Sequence, residues 1–254
     1  MAAPCVFADT VLVAAQSADV VFLGEQHDNP GHHDVQARWT RALNPAALVF
    51  EMLTPEQAAS ITQENRSTQD KLAAALEWDS TGWPDFSMYY PIIEAAPEAR
   101  IFGAGVPRAQ VQSLMKKPLH EAMVASDVQR FGLDQPLPDA QQSKRESLQS
   151  EAHCNALPDD LLPMMVSVQR LRNATLARSA LDALDQTTGP VLVITGNGHA
   201  RTDWGAPFLV QLADPDVDVF ALGQGEGDSN PQGIFDAQLD GPVVDRGNPC
   251  DAFK

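Results

Sequence analysis

Five short runs of apolar residues, each followed by glycine or a charged residue, constrain the fold of this chain more than any other feature. The apolar residues within a run are continuous, which is typical of strands that are buried on both faces of a sheet. The runs cover residues 20–23, 47–50, 101–104, 191–194 and 217–222. Helix-type spacing and start signals lie between them, over residues 31–43, 55–77 and 159–185. This alternation predicts an α/β fold, with a mainly parallel sheet flanked by helices.

The middle of the chain has a different pattern. Residues from about 106 to 160 contain no strand-like run, but amphipathic stretches that are separated by prolines. We therefore expect a single domain over residues 1–254, with a helical insertion that forms a lid on the sheet. The tail from Gly223 is rich in Gly, Asp, Asn and Pro, and we expect loop or extended chain there.

The charge of the chain excludes two classes of partner. It has 17 Lys and Arg against 34 Asp and Glu, a formal net charge of −17. Nucleic acid requires a basic surface, and an anionic membrane surface would repel this chain. No apolar run approaches the roughly 20 residues of a bilayer span. We therefore predict no nucleic-acid partner, and membrane association only through a leader or anchor that has been removed.

The three cysteines are too far apart for a zinc knuckle, because no two of them have CxxC spacing. Cys5 and Cys250 lie near opposite ends of the chain, and chain termini are often close in space. We expect a disulfide between them in an oxidising compartment. The alternative is that both remain unpaired thiols.

Ionisable side chains follow directly after four of the predicted strands. They are Glu25 and His27, then Glu51, then Arg108, and finally His199 and Arg201. Because ligands bind at the carboxyl ends of parallel strands, we expect these side chains to share one site. The two imidazoles and two carboxylates can hold a divalent metal with one position open for water. Alternatively, a glutamate acts as general base beside a histidine and the arginines stabilise an oxyanion. A purely structural role, fixing loops by hydrogen bonds, is the third interpretation.

A second group of candidates is aromatic. Trp83 and the two tyrosines of the chain, Tyr89 and Tyr90, lie in one short stretch. A flat apolar ligand would bind such a surface, and tyrosinate is a known ligand of ferric haem. The alternative is an aromatic anchor that holds a loop on the core. His32 and His33 open a predicted helix and face different directions, so we expect only one of them to be functional.

Several separated motifs occur in an order that resembles a known family. They are Gly24–Asp28 with His32 and His33, Phe50–Met52 with Gln57, the stretch 82–91, Pro107 with Arg108, and Gly198–Arg201 followed by Gly205 and Pro207. Over roughly residues 18–222 this series resembles the ChaN-like haem-binding uptake family of the Tiki and erythromycin esterase superfamily. The sequence departs from the family at Val106, where asparagine is expected.

The resemblance implies bacterial haem or iron uptake, with haem held between two subunits and tyrosine and histidine near the iron. It favours Tyr89 over Tyr90 as the tyrosine. We therefore predict a homodimeric haem-binding protein, periplasmic or associated with the periplasmic side of a membrane, with a cytoplasmic location as the alternative. The superfamily also implies a competing function, a metal- or Glu/His-dependent hydrolase of an ester or amide. A scaffold that binds a protein partner is a third possibility.

Overall fold

A computed structural model of the chain describes residues 10–248, 250 and 251, with helix over residues 10–15. The strands are β1 Val20–Glu25, β2 Ala47–Phe50, β3 Arg100–Gly103, β4 Val191–Gly196, β5 Val219–Glu226 and β6 Ala237–Gly241. The α-helices are α1 Pro30–Leu43, α2 Pro55–Ala59, α3 Gln69–Ala75, α4 Phe86–Glu94, α5 Arg108–Ser113, α6 Ala125–Arg130, α7 Asp139–Ala152, α8 Leu162–Thr187, α9 Asn197–Ala200 and α10 Ala206–Ala213. Short 3₁₀-helices cover Asn65–Ser67, Trp78–Ser80, Leu119–Glu121 and Asp159–Leu161.

The described strands form one six-stranded sheet in the order β3-β2-β4-β1-β5-β6, and each neighbouring pair is parallel. Every residue of β1, β2 and β4 is buried, which is typical of strands that are covered on both faces. The predicted α/β fold with a parallel sheet and flanking helices is therefore confirmed. In this register Glu25 at the end of β1 lies beside Gly196 at the end of β4.

Two segments of the tail from Gly223, where loop or extended chain is predicted, are extended strands of the sheet. Strand β5 continues to Glu226, and the tail adds β6 as an edge strand. The glycines of β5 permit close contact with the chain that leads to β6, since a Cβ at Gly223 would lie 2.8 Å from the Phe235 ring. The glycines in this part of the sequence therefore indicate close packing of neighbouring chain segments, and not only turns.

The helix predicted over residues 55–77 is divided into α2, a 3₁₀ turn and α3. The break follows from local hydrogen bonds that compete with the helix: Asn65 Oδ1 accepts from the Thr62 backbone N–H, and Thr62 Oγ1 accepts from that of Asn65. Thr68 then caps α3 by accepting from the Lys71 backbone N–H. Apolar periodicity alone does not reveal such a break.

The described chain divides into two compact units. The first contains the residues up to Gly105 together with Thr175–Val244, and it includes the whole sheet. The second contains Val106–Ala174 and the described residues from Asp245 onwards. Among its described residues the second unit has helices and turns but no strand. The proposal that residues from about 106 to 160 form a lid over the site stays a prediction.

The predicted pairing of Cys5 with Cys250 is wrong, because Cys250 forms a disulfide with Cys154, within the second unit. Cys5 lies outside the described residues. Cys154 and Cys250 are 96 positions apart, and the sequence carries no signal of their pairing, which depends on how the second unit folds. No helix within the described residues is long and apolar enough to cross a bilayer.

Candidate functional site

The carboxyl ends of three adjacent strands bring the main candidates together in the first unit. Glu25 is the last residue of β1, Glu51 follows β2 directly, and α9, which carries His199, begins directly after β4. Since β4 lies between β1 and β2, their ends meet at one edge of the sheet. His27 lies two residues beyond β1 and contacts both carboxylates.

His27 lies between the two glutamates. Its Nδ1 is 2.7 Å from Oε1 of Glu25, and its Nε2 is 3.9 Å from Oε2 of Glu51. Its ring packs against the Trp83 indole, with 4.8 Å between the ring centroids. The side chain is 32% exposed, whereas those of both glutamates are buried. A Cβ at position 196 would lie 2.9 Å from Nε2 of His27, so Gly196 leaves the space for this ring.

Glu51 is buried but held as a carboxylate. Its Oε2 accepts from the Thr195 hydroxyl at 2.6 Å and from the Gly196 backbone N–H at 2.9 Å. Its Oε1 is 3.5 Å from Nε2 of His199. Burial alone would raise the pKa of Glu51, but His199 and His27, with the two hydrogen bonds, lower that pKa to about 2. The site therefore holds a buried negative charge over the whole neutral pH range.

These four side chains do not fit the predicted divalent-metal site. Within the described residues, no group of three or more His, Cys, Asp or Glu is arranged to hold a metal ion. The contacts instead form a chain from Glu25 through His27 and Glu51 to His199. Metal ligands direct their donor atoms at one common point, whereas these nitrogens are directed at carboxylate oxygens. In this chain the His27–Glu25 contact is a hydrogen bond, whereas Glu51 lies at ion-pair distance from His27 and His199.

The expectation that one of the two adjacent histidines faces a ligand is not met in this structure. Both are buried in α1. Nδ1 of His32 accepts from the Gln26 backbone N–H at 2.8 Å, and its Nε2 donates to the Gly225 carbonyl at 2.9 Å. Burial lowers the pKa of His32. Nε2 of His33 donates to the His27 carbonyl at 2.9 Å. Both rings therefore hold the loop that follows β1.

Tyr89 does not have the surroundings of an iron ligand. It is fully buried in α4, and its hydroxyl donates to Oε1 of Glu25 at 3.2 Å. Burial, together with the charge of Glu25, raises the pKa of Tyr89 far above its usual range, which disfavours the phenolate that binds iron. Tyr90 is half-buried and donates to the Arg66 carbonyl at 3.3 Å. Trp83 is the member of the aromatic group that lies against the half-exposed His27.

The two arginines lie in different settings. Arg201 is buried and forms a bidentate ion pair with Asp203, at 2.5 and 2.6 Å, with its guanidinium 3.7 Å from the centroid of the Trp204 ring. This pairing would have to break before Arg201 could stabilise an oxyanion. Arg108 is exposed at the start of α5, in the second unit.

Several polar residues of the site escaped the sequence analysis. Thr195 holds Glu51, and Gln224 donates to the Gly24 carbonyl at 2.7 Å while its backbone N–H donates to Oδ1 of Asn197. Gln36 of α1 donates to the Leu23 carbonyl at 3.0 Å. Thr195 and Gln224 could have been identified as site candidates, because each is a polar residue that continues a buried strand beyond its apolar run.

Comparisons with known proteins identify the relationship. Residues 11–210 match the family model described as haem-binding uptake, Tiki superfamily, ChaN. The fold is similar to that of ChaN of Campylobacter jejuni, from a structure that reports cofacial haem binding: identity is 20%, 89% of each chain is covered and the TM-score is 0.68. It is also similar to the type III effector HopBA1, at 13% identity over 93% of this chain and 94% of that chain, with a TM-score of 0.52.

An erythromycin esterase, EreC, in its open conformation aligns over 86% of this chain and 72% of its own, at 16% identity and a TM-score of 0.48. None of the curated protein sequences compared with the chain matches it significantly. At these identities the likenesses to ChaN and HopBA1 show the fold alone. The family model covers most of the chain and establishes the relationship. The chain belongs to the ChaN family of haem-binding uptake proteins in the Tiki superfamily.

Proposed function

We propose that this chain binds haem and serves in bacterial haem or iron uptake or trafficking. The observation that carries the proposal is the family match over residues 11–210. The Campylobacter jejuni relative, which has the same fold along 89% of its length, is described as binding haem cofacially. The proposed role of this chain in uptake, rather than in storage or delivery of haem, is supported by the family description.

The haem surface that we propose is the aromatic pair of Trp83 and His27 at the carboxyl edge of the sheet. Both side chains are partly exposed, and the indole packs against the imidazole. A porphyrin is flat and largely apolar, so an exposed indole gives it a stacking partner. Tyr89, His32 and His33 are buried beside this edge. Each forms a hydrogen bond with the backbone of the loop after β1 and so holds that loop in place.

Absorption titration with ferric haem tests the proposal. We expect saturable binding at micromolar haem with a distinct Soret band, and absence of saturable binding would overturn the proposal. Tyr89→Phe should leave the ferric spectrum unchanged, because the Tyr89 hydroxyl is directed at Glu25 in the core. A tyrosinate band that disappears in this variant but persists in Tyr90→Phe would instead establish Tyr89 as the iron ligand.

Two further parts of the proposal concern assembly and location. We propose a homodimer that encloses the haem between subunits, and a periplasmic location. The disulfide between Cys154 and Cys250 supports an oxidising compartment, since disulfides rarely persist in the bacterial cytosol. Sedimentation with and without haem tests the dimer, and fractionation of the native host tests the location. A monomer in the presence of saturating haem would contradict the proposed dimer.

A second candidate function, hydrolysis of an ester or amide, has one observation in its favour. The partly exposed His27 is hydrogen-bonded to Glu25 and faces Glu51, an arrangement that suits a general base. A panel of esters and amides, assayed with wild type and Glu25→Gln, tests this function. If the protein is a hydrolase of this kind, the wild type turns over a substrate of the panel, and Glu25→Gln lowers that rate at least 100-fold. Equal background rates would exclude hydrolysis of the tested substrates.

A further inference from the structure

His33 has hydrogen-bond acceptors at both ring nitrogens. Its Nε2 is 2.9 Å from the His27 carbonyl oxygen. Its Nδ1 is 3.1 Å from Oε1 of Gln36 and 3.4 Å from Oε2 of Glu25. A neutral imidazole has one N–H and one lone pair, and would leave its lone pair facing oxygen. The doubly protonated ring donates on both sides.

The acceptor character of Gln36 is fixed by its own contact. Its side-chain nitrogen donates to the Leu23 carbonyl at 3.0 Å, so its oxygen faces His33. Turning the amide over would place two oxygens against each other at the Leu23 carbonyl. The Leu23 carbonyl of β1 therefore fixes the amide orientation of Gln36, and with it the proton on Nδ1 of His33.

Glu25 requires a positive charge beside it. Its carboxylate is buried, and its Oε1 accepts from His27 and from the Tyr89 hydroxyl. Its Oε2 receives no hydrogen bond from the described residues, and the Nδ1 of His33, at 3.4 Å, is the ion-pair contact of that oxygen. A buried carboxylate oxygen without a cation is strongly unfavourable.

We infer that His33 is a buried imidazolium that keeps Glu25 ionised and thereby positions His27 with its Nδ1 protonated. His33 is a positioning residue, because it acts on the exposed imidazole only through Glu25 and through the His27 carbonyl. The groups that face or adjoin His33 are Glu25 from β1, His27 from the following loop, His32 and Gln36 from α1, and the edge of the Tyr89 ring from α4, at 4.4 Å between centroids. The inference rests on the proposed location of the site but not on haem.

The test is the ring ¹⁵N spectrum of histidine-labelled protein at pH 7.5, recorded without haem. We expect both nitrogens of His33 in the protonated range. His32 is the internal reference, because its Nδ1 accepts from the Gln26 backbone N–H and its ring must show one unprotonated nitrogen. An unprotonated nitrogen in His33 would overturn the inference. Since no haem is present, failure of haem binding would leave this result unchanged.

A pair of glutamate variants tests the ion pair itself. Glu25→Gln removes the charge beside His33, and we expect the Nδ1 signal of His33 to shift into the unprotonated range. Glu226→Gln is the control, because Glu226 acts on His32 and accepts from Asn29. His33 signals that are unchanged in Glu25→Gln, or that change equally in both variants, would contradict the ion pair. The wild-type spectrum decides the protonation state even if Glu25→Gln does not fold.

Discussion

Glu51 carries the clearest electrostatic consequence at the scale of single residues. It is buried, and its pKa is lowered from 4.5 to about 2 because its contacts with His199, His27, Thr195 and Gly196 outweigh its burial. In the unfolded chain the carboxylate returns to its ordinary pKa. Between these two values the unfolded state binds the extra proton, so the stabilisation is complete above pH 4.5 and is lost as the pH falls towards 2.

We predict that Glu51→Gln removes this part of the acid dependence. The difference between 4.5 and about 2 corresponds to about 3 kcal/mol of unfolding free energy. Urea unfolding of wild type and variant at several pH values measures it, and the two curves should converge as the pH falls from 4.5 towards 2. A constant difference across that range would contradict the lowered pKa.

His32 acts in a second pH window. Its pKa is lowered from 6.5 by burial, and its Nδ1 has to stay unprotonated to accept from Gln26. Because the folded pKa lies below the unfolded one, the stabilisation is present above pH 6.5 and decreases as the pH falls below it. We expect wild type to lose more unfolding free energy than His32→Gln between pH 7.5 and 5.5. Equal losses in the two proteins would refute this assignment.

The elements show how far strand and helix patterns could be predicted. The strands β1, β2 and β4 could be predicted from their continuous apolar runs, because both faces of each strand are buried in the sheet. Edge strand β6 is only partly buried and has no apolar run, so hydrophobic patterning does not reveal it. The division of residues 55–77 was equally hidden, since it depends on side-chain hydrogen bonds of Thr62 and Asn65.

Strand β6 packs closely on the buried histidine of α1. A Cβ at Gly241 would lie 2.5 Å from Nε2 of His32 and 2.7 Å from the Gly225 carbonyl oxygen. We therefore predict that Gly241→Ala lowers the unfolding free energy by about 2–3 kcal/mol, measured by chemical denaturation. Gly198→Ala is the control, because a Cβ there meets no atom within 4 Å and α9 gains a better helix former. A loss at Gly198→Ala as large as that at Gly241→Ala would contradict this contact.

At the scale of the whole molecule, the strand-end rule predicted which distant residues meet. Glu25, His27, Glu51 and His199 could be placed together because they follow strands of one parallel sheet. The state of each side chain could not be predicted in the same way. The burial of Tyr89 depends on which face of α4 packs on the core, and the bidentate pairing of Arg201 depends on the conformation of residues 201–204.

The disulfide of the second unit gives a whole-molecule prediction. Cys154 and Cys250 are bonded, so we expect unreduced, unfolded protein to react as one free thiol, that of Cys5. Cys154→Ser with Cys250→Ser should lower the unfolding free energy by about 2–4 kcal/mol, because the crosslink closes a long loop. Cys5→Ser is the control and should leave no reactive thiol in the unreduced, unfolded protein. Three reactive thiols in unreduced wild type would rule out the pairing.

The central claim is that haem binds at the aromatic edge formed by Trp83 and His27, and haem affinity of two matched variants tests it most directly. Trp83→Ala removes the proposed stacking surface, whereas Phe208→Ala removes an exposed aromatic side chain from α10. We predict that the Kd for ferric haem rises about tenfold or more in Trp83→Ala and stays at the wild-type value in Phe208→Ala. An unchanged Kd in Trp83→Ala, with the protein folded, would contradict this account of the site.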